Sequence, residues 1–162
     1  MEVDQTVWGV IMEKDMHRVL RAVDMSKCIG CCSCMLACAR NVHGDYSPVK
    51  SAVRIHSSGG FQGRFVANIC RGCIHPACAE VCHSGALAER RGGGVKLVKE
   101  KCIGCRKCID ACSVQGIVFD EQENKPIVCL QCGSCVKNCP HNALSMEVNN
   151  NFYEEFNKSF DD

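Results

Sequence analysis

Seventeen of the 162 residues are cysteine, and sixteen of them fall into four runs of nearly one spacing. Cys28, Cys31, Cys34 and Cys38 follow C-x2-C-x2-C-x3-C, as do Cys102, Cys105, Cys108 and Cys112, and again Cys129, Cys132, Cys135 and Cys139. Cys70, Cys73, Cys78 and Cys82 stretch the middle gap to four residues. Thiolates are soft ligands, and this spacing is one that holds 4Fe-4S cubes. Residues at i, i+3 and i+6 on a tight loop can wrap three thiolates around three irons of one cube. The fourth sits a helical turn further on and points away from it. Sixteen thiolates are enough for four cubes, with Cys32 left over.

The fourth cysteine of such a run ligates the other cluster in two-cluster ferredoxins, so a run cannot complete a site alone and four runs imply two pairs. The elements between the runs must bring them together. Val19, Leu20, Ala22 and Val23, with Val7, Trp8, Val10 and Ile11 before them, suit a strand and turn leading into the first loop. The stretch VKSAVRIHSS reads as a strand bounded by a turn, with SSGG at its end. Gly92-Gly93-Gly94 separates Ala86-Leu87-Ala88 from Val95-Lys96-Leu97-Val98, a β-hairpin between the second and third runs. Ile117-Val118-Phe119 and Ile127-Val128 repeat the plan, with Asp120 to Lys125 as the turn. The end, NNNFYEEFNKSFDD, is polar and acidic with three phenylalanines and reads as a tail.

Composition agrees with metal replacing much of the core. Aromatic residues make up 6% of the chain, so large core-filling side chains are scarce. Metal that binds only the folded state adds directly to folding free energy, and the apo chain is expected to be largely unfolded. The formal charge of +1 counts neutral thiols; four cubes with their thiolates would bring it to about −7. No basic run supports nucleic-acid binding. A disulfide scaffold is opposed by the odd count, the regular spacing and charges scattered through the first twenty residues in place of a secretory signal. No apolar stretch approaches the length needed to cross a bilayer. The expectation is a reducing, cytoplasmic setting. Zinc ribbons use two separated C-x2-C knuckles rather than three cysteines crowded in one loop. Neither C-x-x-C-H nor C-x3-C-x2-C occurs.

The segments DMSKCIGCCSCMLACARN, CRGCIHPACAEVCHSGAL, VKLVKEKCIGCRKCIDAC and CLQCGSCVKNCPHNAL together resemble the four-cluster electron-transfer subunits of molybdenum and tungsten pterin oxidoreductases. That family includes the iron-sulfur subunits of dimethyl sulfoxide reductase, polysulfide reductase, formate dehydrogenase and hydrogenase complexes. The resemblance covers residues 22–148. It implies an α+β fold of two bacterial-type 2x(4Fe-4S) ferredoxin-like modules, with short helices and β-hairpins around the clusters. The outer module takes 22–64 with 126–148, and the inner takes 65–125. Residues 1–21 form an N-terminal segment and 149–162 a polar C-terminal tail.

The resemblance also implies the pairing, outer runs with each other and inner runs with each other. Cys70, Cys73, Cys78 and Cys112 then hold one cluster, and Cys102, Cys105, Cys108 and Cys82 its neighbour. In the outer module, Cys28, Cys31, Cys34 and Cys139 hold one, and Cys129, Cys132, Cys135 and Cys38 the other. Sequential pairing, run one with two and three with four, is the competing map. The implied function is non-catalytic electron transfer beside a large catalytic tungsten or molybdenum pterin subunit, in a hetero-oligomer, with a ferredoxin or flavoprotein as the second partner. Reductase-type subunits carry a long insertion in the fourth run, which is plain here. That compactness points toward small subunits of tungsten aldehyde oxidoreductases. A free diffusible polyferredoxin, or a subunit of a hydrogenase or formate dehydrogenase complex, is the alternative.

Residues beside the runs have plainer readings. Cys32 lies outside the repeat and reads as a free thiol. His75, His83 and His141 could ligate iron as in Rieske centres, but the cysteines already satisfy four cubes. Arg106, Lys107 and Lys137 flank ligand cysteines and could raise a local potential, or face solvent or a partner. Pro140 matches the C-P ending of the ferredoxin run.

Overall fold

Val19 and Leu20 are adjacent, yet both are sealed from solvent (0% and 1% exposed), which requires a strand covered on both faces. They lie in β1 (Arg18–Ala22), which pairs antiparallel with β8 (Leu144–Val148), from Arg18↔Val148 to Ala22↔Leu144. The Leu20 face joins an apolar cluster with Met35, Val53, Ile69, Ile127 and Leu144. Val19 instead meets the second cysteine run: a Cβ built on Gly72 would stand 2.4 Å from its Cγ1. Only glycine lets that loop approach the strand so closely. The computed structural model describes residues 17–61 and 63–150. The expected strand residues Val7, Trp8, Val10 and Ile11, and the tail from 151 onward, lie outside the described residues.

Helix α1 (Ser33–His43) begins at Cys32 and ends at Gly44, both left-handed, and buries Cys34, Met35, Ala37, Cys38 and Ala39. Cys34 and Cys38 stand one turn apart, on one face. The other three runs carry single turns of helix, α2 (Ala77–Glu80), α3 (Lys107–Asp110) and α4 (Ser134–Lys137). Good helix formers after Cys38, with no proline before Pro48, let α1 continue where Pro140 and Gly85 help stop its counterparts.

Three hairpins join the runs: β2 (Arg54–Ser57) with β3 (Phe65–Asn68), β4 (Leu87–Glu89) with β5 (Val95–Leu97), and β6 (Val118–Asp120) with β7 (Lys125–Ile127). The sequence placed two of these within a residue or so. Ala86, Ile117, Val98 and Val128 fall outside the strands, and Asp120 and Lys125, expected in the turn, pair with each other as the last rung. The VKSAVRIHSS strand is shorter than expected, because Pro48–Lys50 forms a 3-10 turn and only Arg54–Ser57 is extended. Its partner, β3, has no counterpart in the sequence reading.

A second apolar cluster, Leu87, Val95, Ile117 and Val128 with Cys108, sits among the inner runs. Lys50, in the 3-10 turn before β2, is tied to β6: its Nζ donates to the Asp120 Oδ2 at 2.5 Å, the side chains being 13% and 5% exposed. The other carboxylate oxygen accepts from the Gln122 and Glu123 amides and closes the β6–β7 turn. Burial pushes the Asp120 carboxyl up, but the Lys50 hydrogen bond and these amides hold it below its usual value. Lys50→Met is therefore expected to lower the denaturant midpoint of the metal-loaded chain, because it strands a buried carboxylate. Lys50→Met with Asp120→Asn should recover part of the loss. A double variant no more stable than the single would show that the pair does not hold this joint.

Candidate metal centre

The four runs share a backbone design. The residue before each second cysteine is left-handed, at Gly30 (φ 71), Gly72 (φ 64), Gly104 (φ 71) and Gln131 (φ 54). In the three plainly spaced runs the residue after it is left-handed too, at Cys32 (φ 58), Arg106 (φ 63) and Gly133 (φ 72). Alternation of this kind turns successive N–H groups toward one concave side, which suits an anionic group. Cys32 thus occupies the turn position taken by Arg106 and Gly133, and its thiol donates to the Gly30 carbonyl at 3.4 Å.

A further left-handed residue follows the fourth cysteine by three in the later runs, at Gly85, Gln115 and Asn142. Just beyond it, the amides of Leu87, Gly116 and Ala143 donate to the sulfurs of Cys82, Cys112 and Cys139 at 3.4, 3.2 and 3.4 Å. Those amides would stabilise thiolates, the form that binds metal.

These loops gather the sixteen thiols around four cavities. Cys28, Cys31, Cys34 and Cys139 line one, Cys82, Cys102, Cys105 and Cys108 a second, and Cys38, Cys129, Cys132 and Cys135 a third. Cys70, Cys73, Cys78 and Cys112 line the fourth, which Cys129 also reaches. Every group takes three thiols from one run and the last thiol of another, the first run exchanging with the fourth and the second with the third. Cys32 lines the first cavity as a fifth thiol, and the exposed His141 lies at the same wall.

Burial pushes the Cys34 thiol up to about 11, with Cys139, Cys28 and Cys31 adding like-charge repulsion. The same two causes push Cys108 up to about 11, and Cys78 and Cys135 to about 12; Cys129 is raised further in the same direction. Four crowded thiols cannot ionise together unless positive charge enters among them. A multi-iron core supplies it. The thiols of each group line a cavity rather than meeting at a point. Four sulfurs around a cavity fit a cluster.

In each run the second cysteine, Cys31, Cys73, Cys105 or Cys132, is exposed, while Cys34, Cys38, Cys108, Cys129 and Cys135 are buried. The groups also lie in series. Cys34 and Cys38 share α1, Cys78 and Cys108 open the single turns that lead to Cys82 and Cys112, and Cys70 and Cys129 line one cavity.

Two contacts escaped the sequence reading. Asn41, a turn past Cys38, donates its amide to the Cys132 sulfur at 3.5 Å. Gln131 is 7% exposed and hydrogen-bonds Leu20 and Cys70. Aligning the runs would have marked it, since it stands where the other three have glycine. Of the flanking cations, Arg106 pairs with Glu121 and lies 4.0 Å over the Phe119 ring, whereas Lys107 and Lys137 face outward.

Short helices and hairpins that gather thiols in fours define a ferredoxin-type iron-sulfur protein. A family model described as a 4Fe-4S dicluster domain matches residues 101–143. The B component of the anaerobic dimethyl sulfoxide reductase of Escherichia coli is 31% identical over 144 residues, covering 75% of this chain and 69% of that one. This protein belongs to that family, the iron-sulfur subunits of the dimethyl sulfoxide reductase type. It is also 33% identical to the B component of the selenate reductase of Mesobacillus selenatarsenatis, covering 78% of this chain and 48% of that one. With the beta subunit of the NADH-dependent phenylglyoxylate dehydrogenase of Aromatoleum evansii the identity is 34%, over 83% of this chain and 31% of that one. The match thus spans less than half the length of these two longer relatives.

Cys112→Ser is expected to disturb metal held with Cys70, Cys73 and Cys78 and to leave the Cys129, Cys132, Cys135 group intact, as read by electron paramagnetic resonance. Damage to the latter group instead would show that the runs exchange thiols differently.

Proposed function

We propose that this chain is the electron-transfer subunit of a molybdenum or tungsten pterin oxidoreductase complex, holding four 4Fe-4S clusters in two ferredoxin-like modules and performing no substrate chemistry itself. The observation that carries this reading is the series of thiol groups, above all the cavity that Cys70 and Cys129 line together, where the inner runs meet the outer ones. A 4Fe-4S cluster supplies reversible one-electron redox chemistry. The chain's own part is to hold and tune. Cys28, Cys31, Cys34 and Cys139 hold one cluster, Cys38, Cys129, Cys132 and Cys135 the next, Cys70, Cys73, Cys78 and Cys112 the third, and Cys82, Cys102, Cys105 and Cys108 the fourth. Loop amides donate to their sulfurs, and such donors set potentials. Leu20, Val53, Ile117 and Val128 keep water from the spaces between groups.

The exposed second cysteines leave each group an edge toward a partner. A large catalytic pterin subunit on one side and a ferredoxin or flavoprotein on the other fit such a conduit. Within that class, the plain fourth run favours an aldehyde-oxidising tungsten enzyme as the partner, in the cytoplasm. No described helix is long and apolar enough to cross a membrane.

Anaerobically purified native protein is expected to carry about sixteen irons per chain, to elute with a much larger subunit on size exclusion, and to bring tungsten or molybdenum with it. Far fewer irons, or zinc in their place, would overturn the conduit. A fully loaded chain that elutes alone would make it a diffusible polyferredoxin.

A further inference from the structure

Gln131 stands in the left-handed position that glycine fills in the other three runs, although a side chain there is strained (φ 54). Strain kept at a buried position points to a use for the side chain. Its partners fix how the amide lies. The Leu20 N–H can only donate, so Oε1 faces it, at 2.6 Å. The Cys70 carbonyl can only accept, so Nε2 faces it, at 3.2 Å. Meanwhile the Gln131 backbone N–H donates to the Cys129 sulfur at 3.4 Å. One residue therefore touches cysteines of two different groups at the point where those groups meet.

We propose that Gln131 is a positioning residue for electron transfer between the inner and outer runs: its amide, held by β1 and bonded to the Cys70 carbonyl, sets a dipole beside the cluster on Cys70, and its main chain, bonded to the Cys129 sulfur, fixes the path from Cys70 to Cys129. This rests on the electron-carrier reading above. A donor dipole beside a ligand residue stabilises the more negative, reduced state of its cluster and raises the potential. Losing it lowers that potential. A hydrogen bond of ordinary strength corresponds to about tenfold in the reduction equilibrium, which for one electron is about 59 mV.

The test uses the anaerobic, iron-loaded full chain. With glutamine labelled with 15N at the side-chain amide only, the wild type is expected to show 15N coupling to one reduced cluster in pulsed electron paramagnetic resonance. Gln131→Gly suits the backbone and should keep the wild-type iron content, lose that coupling, and make one cluster about tenfold harder to reduce. Gln131→Glu keeps an acceptor for Leu20 but puts a carboxylate where the donor was, and should shift the same cluster further in the same direction. Unchanged potentials in Gln131→Gly at full iron content would overturn the proposal. So would absence of 15N coupling in the wild type, a result that decides the matter even if the variants fail to fold. Wild-type iron content reports separately on the carrier reading.

Discussion

A helical turn separates the third cysteine of each run from the fourth, and this turn carries the fourth thiol out of the space its own run encloses. The rest of the structure follows from that geometry. No run closes a group from its own residues, so runs far apart in the chain must meet. Cys139 reaches a cavity built by Cys28 to Cys34, and Cys38 returns the exchange. The pairing of β1 with β8 follows from this demand, since exchanging thiols between the first and last runs brings the strands flanking them side by side. Each closure joins distant segments and costs loop entropy, which the aromatic-poor core is ill placed to offset. Raised thiols in every group add to the deficit, because four neutral or mutually repelling sulfurs contribute little without a cation among them. Metal binding then becomes folding free energy.

Contacts between the outer and the inner runs are built differently from those within each pair of runs. Within each pair, thiols of both runs line the same cavities. Between the pairs, β1 lies between the outer cluster, which takes Leu20, and the second run, which takes Val19. Gln131 links that strand to Cys70, Asn149 donates to the carbonyls of Gly72 and Gly92, and Lys50 reaches Asp120. All of these are polar contacts made in buried or half-buried places. Such contacts demand defined geometry, because a partner lost leaves a desolvated group behind. They fix distances where an apolar interface could slide.

What the sequence could show divides along the same line. Cysteine spacing is a local code, and it marked the loops; which runs would share thiols came from the family resemblance instead. The β4–β5 and β6–β7 hairpins were legible because Gly92-Gly93-Gly94 and the polar stretch after Asp120 mark turns between short apolar segments. The pairing of β2 with β3 and of β1 with β8 was not, since register across a long separation leaves no trace in a short window. Gln131 was hidden for another reason. Its type says nothing, and only its place in the aligned repeat, where Gly30, Gly72 and Gly104 stand, sets it apart. Cys32 is the reverse case: its type drew attention, but its place in the repeat, beside Arg106 and Gly133, gives it an ordinary role in turning the chain.

Placing two cluster sites side by side raises an electrostatic difficulty, because each loaded group would carry net negative charge and each added electron would deepen it. The protein meets this at the joint with fixed cations. Arg21 donates to the Arg71 carbonyl at 2.7 Å, one residue past Cys70, and Arg90 donates to the Leu130 carbonyl, one residue past Cys129. The two guanidiniums thus flank the meeting point of the groups, each anchored by main chain rather than by a carboxylate that would cancel its charge. Both contacts are exposed, so water and salt screen them. They sit nonetheless beside Cys70 and Cys129, which line one cavity where two groups meet. In the second and fourth runs the backbone carbonyl that follows the first ligand, unneeded by any strand, becomes the handle that holds positive charge in place.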